Sequence, residues 1–133
     1  MSDNELEKIR RRKAEILMKL QAIPKEIINI HNYNELQKLF QDFPDKIIII
    51  DFWAVWCAPC KMFAPIFEKL QQEYLREIIF IKVNVDENPR IAQSYGITSI
   101  PTTVILKSNE LLRKFVGVMN YETLKNILEK LKS

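Results

Sequence analysis

The strongest constraint on the fold of this chain is an apolar run near its middle. Residues 46–53, Lys-Ile-Ile-Ile-Ile-Asp-Phe-Trp, have the length and the β-branched composition of a strand that is buried on both faces. Apolar residues at helical spacing follow from Met62 to Tyr74, and a second β-branched run covers residues 78–85. This order of strand, helix and strand predicts a βαβ unit with parallel strands and a right-handed crossover.

Seven further elements are predicted around this unit. The last two strands are close enough in sequence to pair as an antiparallel hairpin through residues 108–110. The chain is therefore expected to be an α/β protein, in which a central mixed sheet combines the parallel βαβ unit with the hairpin and is flanked by helices. The predicted helices cover residues 3–21, 32–43, 88–95 and the segment after Asn120, and the strands cover residues 27–30, 102–107 and 111–116.

The length and the charge distribution favour one main domain. Its 133 residues fit a single core, which we assign to residues 25–133, with residues 1–24 as an N-terminal helical extension. The net charge of +3 is already present in residues 1–25, so the remainder is neutral overall and no nucleic-acid partner is expected. No segment has the ~20 apolar residues of a membrane span, and Glu15 and Lys19 interrupt any secretory signal. We therefore expect a cytoplasmic protein that does not bind membranes.

The N-terminal helix has a short apolar stripe that needs a partner surface. Lys13 interrupts the stripe, which makes a long coiled coil improbable, and basic residues at positions 8 and 10–12 follow another face. That basic run is either a solvated face or a contact for a partner or nucleic acid. Residues 3–21 pack back on the domain, mediate self-association or hold a partner, and the sequence leaves these alternatives open. The stripe consists of Leu6, Ile9, Ile16, Leu17, Leu20 and Ile23.

Two cysteines lie where the central strand ends and the next helix begins. Backbone N–H groups in the first turn of that helix point toward Cys57, and the positive end of a helix stabilises a thiolate. Cys60 follows one helical turn later, where it can attack a mixed disulfide formed by Cys57. This spacing favours a nucleophilic Cys57 and a resolving Cys60. The alternatives are a zinc site, for which the chain offers only these cysteines and His31 against four required ligands, and a pair of inert buried cysteines.

Several motifs together make the chain similar to the thioredoxin family from about residue 26 to the C-terminus. The resemblance implies a thioredoxin fold and a thiol:disulfide oxidoreductase that takes part in electron transfer and cell redox homeostasis. It implies a protein-disulfide reductase with disulfide-containing protein substrates and a thioredoxin reductase as partner, and no cofactor or metal beyond the Cys57–Cys60 pair. The motifs that carry it are Asp51-Phe52-Trp53-Ala54-Val55-Trp56-Cys57-Ala58-Pro59-Cys60-Lys61 and residues 82–89, 95–97, 100–102 and 116–118.

The resemblance also implies roles for residues outside the cysteine pair. Asp51 matches a buried aspartate that relays a proton to or from the resolving thiol, and Lys82 matches a lysine that tunes it; a purely structural ion pair is the alternative. The bond between Ile100 and Pro101 matches a cis-proline bond beside the cysteines. The substrate-binding surface is expected to consist of Trp56, Ala58, Pro59, Ile100, Pro101, Val116, Gly117 and Val118.

Departures from the family pattern leave other functions open. Ala58 replaces the glycine of the commonest motif, and residues between the cysteines tune the redox potential. A disulfide oxidase or isomerase is therefore the second hypothesis. The third is a thioredoxin-fold binding module that recruits a partner through its N-terminal helix. Met62, Phe63 and Phe67 are predicted to lie in the core.

Overall fold

The computed structural model describes residues 2–133, with the side chains of residues 19–21 outside that description. Ten elements follow one another in the order predicted from the sequence. The helices are α1 (Asp3–Ala22), α2 (Tyr33–Asp42), α3 (Ala58–Glu73), α4 (Pro89–Ser94) and α5 (Tyr121–Lys132). The strands are β1 (Ile28–Ile30), β2 (Ile47–Trp53), β3 (Ile78–Asn84), β4 (Thr102–Lys107) and β5 (Glu110–Val116).

The five strands form one mixed sheet in the order β1-β3-β2-β4-β5. β2 lies in the centre, parallel to β3 and antiparallel to β4, while β5 pairs with β4 as the second strand of the hairpin. The predicted combination of a parallel βαβ unit and an antiparallel hairpin is therefore confirmed.

Both faces of β2 are buried because helices cover both sides of the sheet. Ile48, Ile50 and Phe52 contribute to a cluster with residues of α2 and α4. Ile47 and Ile49 point to the other face and pack with residues of α3 and α5. Successive side chains of a strand alternate between faces, so Asp51 belongs to the face of Ile47 and Ile49. A carboxyl group is thus placed in the apolar layer beneath α3.

The hairpin turn forms without glycine. Ser108 and Asn109 both have left-handed backbone angles, with φ of 52° and 60°. Asparagine tolerates such backbone angles better than most residues other than glycine. The turn is tighter than predicted, since β5 already begins at Glu110.

The first four residues of the apolar stripe of α1 are exposed. Every side chain from Ser2 to Met18 is exposed, including Leu6 at 38% and Leu17 at 58%, whereas Ile23 just beyond the helix is buried. In the structure, this stretch therefore does not pack back onto the domain. The predicted stripe position Leu20 lies outside the described side chains. Among the described residues, no helix is long and apolar enough to cross a membrane.

The side chain of Met62 does not lie in the core. It is 68% exposed, whereas Phe63 and Phe67 are fully buried as predicted. The prediction for Met62 was wrong because an apolar residue at the border of a helical stripe faces either the core or solvent. The packing angle of the helix, which the sequence does not contain, decides between them.

Candidate functional site

The cysteine pair caps the N-terminus of α3. Cys57 has an extended backbone, with φ of −91°, and its Sγ accepts a hydrogen bond from the backbone N–H of Cys60 at 3.2 Å. Ala58 and Pro59 form the first positions of the helix, where the ring of proline removes an N–H that would have no helical partner. The predicted strand-to-helix junction thus places one sulfur directly on the positive end of the helix.

Cys57 and Cys60 form a disulfide, with their Cα atoms 5.3 Å apart. Both residues are only 3% exposed, and they pack with Ala54 and with the partly buried side chains of Trp53 and Ile100. Little of the disulfide is therefore open to solvent. A reaction partner has to approach through the residues that surround the pair.

An apolar rim surrounds the pair on the side of the β2–α3 connection. Trp56 is 70% exposed, and its indole N–H donates a hydrogen bond to Asp86 Oδ2 at 2.9 Å. Val55, which the sequence analysis did not select, is 64% exposed. Its position two residues before the cysteine, outside any predicted element, is the sequence signal that identifies it. Exposed apolar side chains of this size fit the contact surface of a protein partner.

The connection into β4 supplies the opposite side of the rim. The bond between Ile100 and Pro101 is cis, and the carbonyl oxygen of Ile100 lies 3.8 Å from Cys57 Sγ. The N–H of Gly117 donates to the carbonyl oxygen of Pro101 at 2.8 Å, which holds the end of β5 beside this connection. Val116 and Val118 on either side of that glycine are exposed, whereas Pro101 itself is buried.

Asp51 lies on the face of the sheet that α3 covers. Ile49, two residues earlier on the same face, packs in one cluster with Phe63, and Cys60 lies one helical turn before Phe63. The helix of a βαβ unit runs antiparallel to its strands, so we infer that the carboxyl group of Asp51 lies in the same layer as Cys60, one helical turn before Phe63.

Burial raises the pKa of Asp51 from 3.8 to about 6, and the ammonium group of Lys82 lowers it in part. The two groups are 3.9 Å apart, with the side chain of Asp51 fully buried and that of Lys82 17% exposed. Lys82 also lies 5.0 Å from the ring centre of Trp53. A carboxyl group with this pKa exchanges protons close to neutral pH, which suits a proton acceptor.

Among the predicted site residues, the structure joins Cys57 to Cys60, packs Ile100 against that pair and pairs Asp51 with Lys82. No group of three potential metal ligands occurs in the described part of the chain, and His31 lies beyond the end of β1. Sequence reasoning missed Asp86 and Thr103. Asp86 contacts Trp56, and Thr103 lies directly opposite Asp51 in the sheet.

A groove of about 850 Å³ lies elsewhere, between β1, α2 and the residues that follow α1. Its lining includes Ile28, Leu39 and Phe43 and neither cysteine. It therefore does not contribute to the disulfide site.

Comparison with known proteins agrees with this geometry. Residues 27–130 match the family model described as Thioredoxin. Thioredoxin 1 of Nostoc sp. is 45% identical over 86 residues, which are 65% of this chain and 80% of the relative. The thioredoxin of Bacillus subtilis is 39% identical over 94 residues, 71% of this chain and 90% of the relative. Among solved structures, the N21Q mutant thioredoxin from Halobacterium salinarum aligns with a TM-score of 0.76 at 30% identity, covering 84% of this chain and 96% of the other.

Proposed function

Because this chain belongs to the thioredoxin family and is a thiol:disulfide oxidoreductase with a Cys57–Cys60 pair, we propose that it works as a reductase of protein disulfides. The observation that carries the proposal is the position of Cys57 Sγ, which accepts the N–H of Cys60 at the start of α3. A thiolate at this position is stabilised by the positive end of the helix, which favours Cys57 as the nucleophile. Reduction of a substrate then needs no cofactor other than the dithiol itself.

The proposed cycle transfers two electrons. The Cys57 thiolate attacks one sulfur of the substrate disulfide, forms a mixed disulfide and releases the other substrate sulfur as a thiolate, which takes up a proton. The Cys60 thiolate then attacks Cys57 Sγ, which closes the Cys57–Cys60 disulfide and releases the second substrate sulfur as a thiolate, which also takes up a proton. The substrate ends as a dithiol and the protein as the disulfide. A thioredoxin reductase, the proposed partner, returns two electrons to the pair.

Asp51 is proposed to accept the proton of the Cys60 thiol before the second attack. Its full burial on the face of the sheet that α3 covers and its raised pKa support this role. Lys82 at 3.9 Å is proposed to keep enough of the carboxyl group ionised for that transfer. If Asp51 and Lys82 instead form a purely structural ion pair, replacing Lys82 is expected to leave the pH dependence of turnover unchanged.

The substrate is proposed to lie across the rim on both sides of Cys57. Trp56, Ala58 and Pro59 form one side, while Ile100, Val116, Gly117 and Val118 form the other, with Pro101 buried behind them. The backbone of Ile100 is available to pair with an extended substrate segment. Apolar contacts and backbone hydrogen bonds carry little sequence information, so we expect many unrelated protein disulfides to be accepted.

Reduction of insulin by dithiothreitol tests the proposal. Wild-type protein is expected to accelerate precipitation of the insulin B chain, and both Cys57→Ser and Cys60→Ser variants are expected to lose the acceleration. Full activity in Cys57→Ser would contradict the assigned nucleophile. A measured potential near −270 mV supports a reductase, whereas one between about −120 and −180 mV supports the oxidase or isomerase alternative.

The exposed stripe of α1 favours an additional role in which residues 3–21 contact a partner protein or a second copy of the chain. Sedimentation velocity of the full chain and of residues 25–133 distinguishes contact with a partner protein from contact with a second copy of the chain. Self-association makes only the full chain dimeric, whereas a partner contact leaves both monomeric. The domain boundary at residue 25 remains a proposal. Whether the truncated chain of residues 25–133 folds is its test.

A further inference from the structure

A row of side chains runs across the face of the sheet that α3 covers. Asp51 on β2 is directly opposite Lys82 on β3 and Thr103 on β4. Directly opposite residues of an antiparallel pair point to the same face, with Cβ atoms about 5 Å apart. The hydroxyl group of Thr103 therefore belongs to the same buried layer as the carboxyl group of Asp51.

Three polar atoms in this row have no hydrogen-bond partner in the part of the chain that the structure describes. Thr103 Oγ1 and both carboxylate oxygens of Asp51 are buried, and none of them has a partner among the described residues. The neighbouring Thr102 shows the usual arrangement, since its hydroxyl donates to the carbonyl oxygen of Ser99 at 2.6 Å. Burying an unpaired hydroxyl group is costly, and an apolar residue would fill the same space without that cost. The hydroxyl group at position 103 is therefore expected to have a hydrogen-bond partner.

We propose that Thr103 is a positioning residue for Asp51, with its hydroxyl group hydrogen-bonded to the carboxylate through one buried water molecule. Such a water makes two to four hydrogen bonds to otherwise unpaired buried groups, and the three polar atoms of this row are groups of that kind. The role rests on the proposed function, because it concerns the carboxylate that accepts the proton of Cys60. The hydroxyl favours the ionised form, which is the form able to accept that proton.

Lys82 faces Asp51 from β3 at 3.9 Å and is the cation that lowers the pKa of its carboxyl group. Cys57 and Cys60 lie at the start of α3, the helix that covers this face of the sheet. The cysteines do not titrate while their disulfide is closed. In the oxidised protein, the titration of Asp51 therefore reports on its burial, on Lys82 and on the hydrogen bonds that it receives.

The experiment compares Thr103→Val, Thr103→Ser and Thr102→Val in the oxidised protein by following the ¹³C shift of the Asp51 carboxyl carbon with pH. Valine keeps the shape of threonine and removes the hydroxyl, so we expect the pKa of Asp51 to rise by about one unit in Thr103→Val. Thr103→Ser restores the hydroxyl and is expected to return the pKa to the wild-type value. Thr102→Val is the matched control, since its hydroxyl has a different partner, and is expected to leave the pKa unchanged.

An Asp51 pKa that is unchanged or lower in Thr103→Val overturns the proposal, as does a Thr103→Ser variant that behaves like valine. A merely structural role would change the unfolding midpoint without moving this titration. The measurement needs no turnover, so it stands apart from the proposed reductase function. If wild-type protein fails to reduce insulin while the pKa of Asp51 shifts as expected in Thr103→Val, the proposed reductase function is refuted and the proposed contact between Thr103 and Asp51 is supported.

Discussion

Replacing Asp51 with asparagine should make the folded protein more stable at neutral pH. The carboxyl group has a pKa of about 6 in the folded protein and an ordinary value of 3.8, because burial disfavours its charge more than Lys82 compensates. A difference of about two units corresponds to roughly 3 kcal/mol of unfolding free energy at 1.36 kcal/mol per unit. Asparagine has nearly the same shape and carries no charge, so it avoids this penalty.

The gain depends on pH with a definite sign. Below about pH 4 the carboxyl group is protonated in both the folded and the unfolded protein, so the two variants have similar stability. Between about pH 4 and 6 the unfolded chain ionises this carboxyl group while the folded wild type keeps it protonated, so the wild type loses stability as the pH rises. The loss levels off above about pH 6, where the folded protein ionises as well. The advantage of Asp51→Asn therefore grows between about pH 4 and 6 and is complete above about pH 7.

Urea unfolding of the oxidised proteins at a series of pH values measures this difference. Equal m-values in both variants would establish that the change lies in stability and not in the compactness of either state. Glu68→Gln is a suitable control, since it removes an exposed carboxylate from the surface of α3. If Asp51→Asn gains nothing at pH 7, or gains the same amount at every pH, the buried carboxyl group is not the titrating group that we describe.

Three further predictions follow from the same geometry. Replacing Lys82 with methionine is expected to raise the pKa of Asp51 by about one unit, measured by ¹³C titration, because a cation 3.9 Å away is lost; an unchanged pKa would show that this contact has no electrostatic effect. Val116→Asp should lower kcat/KM for insulin reduction about tenfold, because a charge on the rim must be desolvated against the substrate. Leu111→Asp, at the other end of β5, is its control, and equal losses in both variants would argue against the rim. Deleting residues 1–24 should preserve reductase activity but cost about 2 kcal/mol in urea unfolding through the loss of buried Ile23, and a loss of activity would place α1 in the site.

Much of the fold was predictable because local patterns and tertiary packing agree. The β-branched run at residues 46–53 became the central strand, and Asn120 caps α5 as its position suggests, accepting from the N–H of Thr123 at 2.8 Å. The cysteine pair was also predictable, since its chemistry depends on two residues at the start of one helix. In these segments, neighbouring residues in the sequence determine the structure.

The features that escaped prediction depend on long-range register. Nothing in the sequence near Thr103 indicates that it lies opposite Asp51, since this pairing joins strands that are far apart in the chain. The indole contact between Trp56 and Asp86 spans 30 positions for the same reason. The exposure of α1 escaped as well, because a stripe of apolar residues predicts that a helix is amphipathic and does not identify what covers it.

The central position of β2 has a consequence for synthesis. Its partner β4 begins at Thr102, so a growing chain that has emerged only as far as α4 contains the most apolar strand with one hydrogen-bonding edge open. An open apolar edge is a template for pairing with other chains. The rim around the disulfide is also incomplete at that stage of synthesis, because Ile100 and Val116 follow α4 in the chain and have not yet been added to the fold. Protection of the central strand and completion of the rim therefore coincide with the formation of the β4–β5 hairpin.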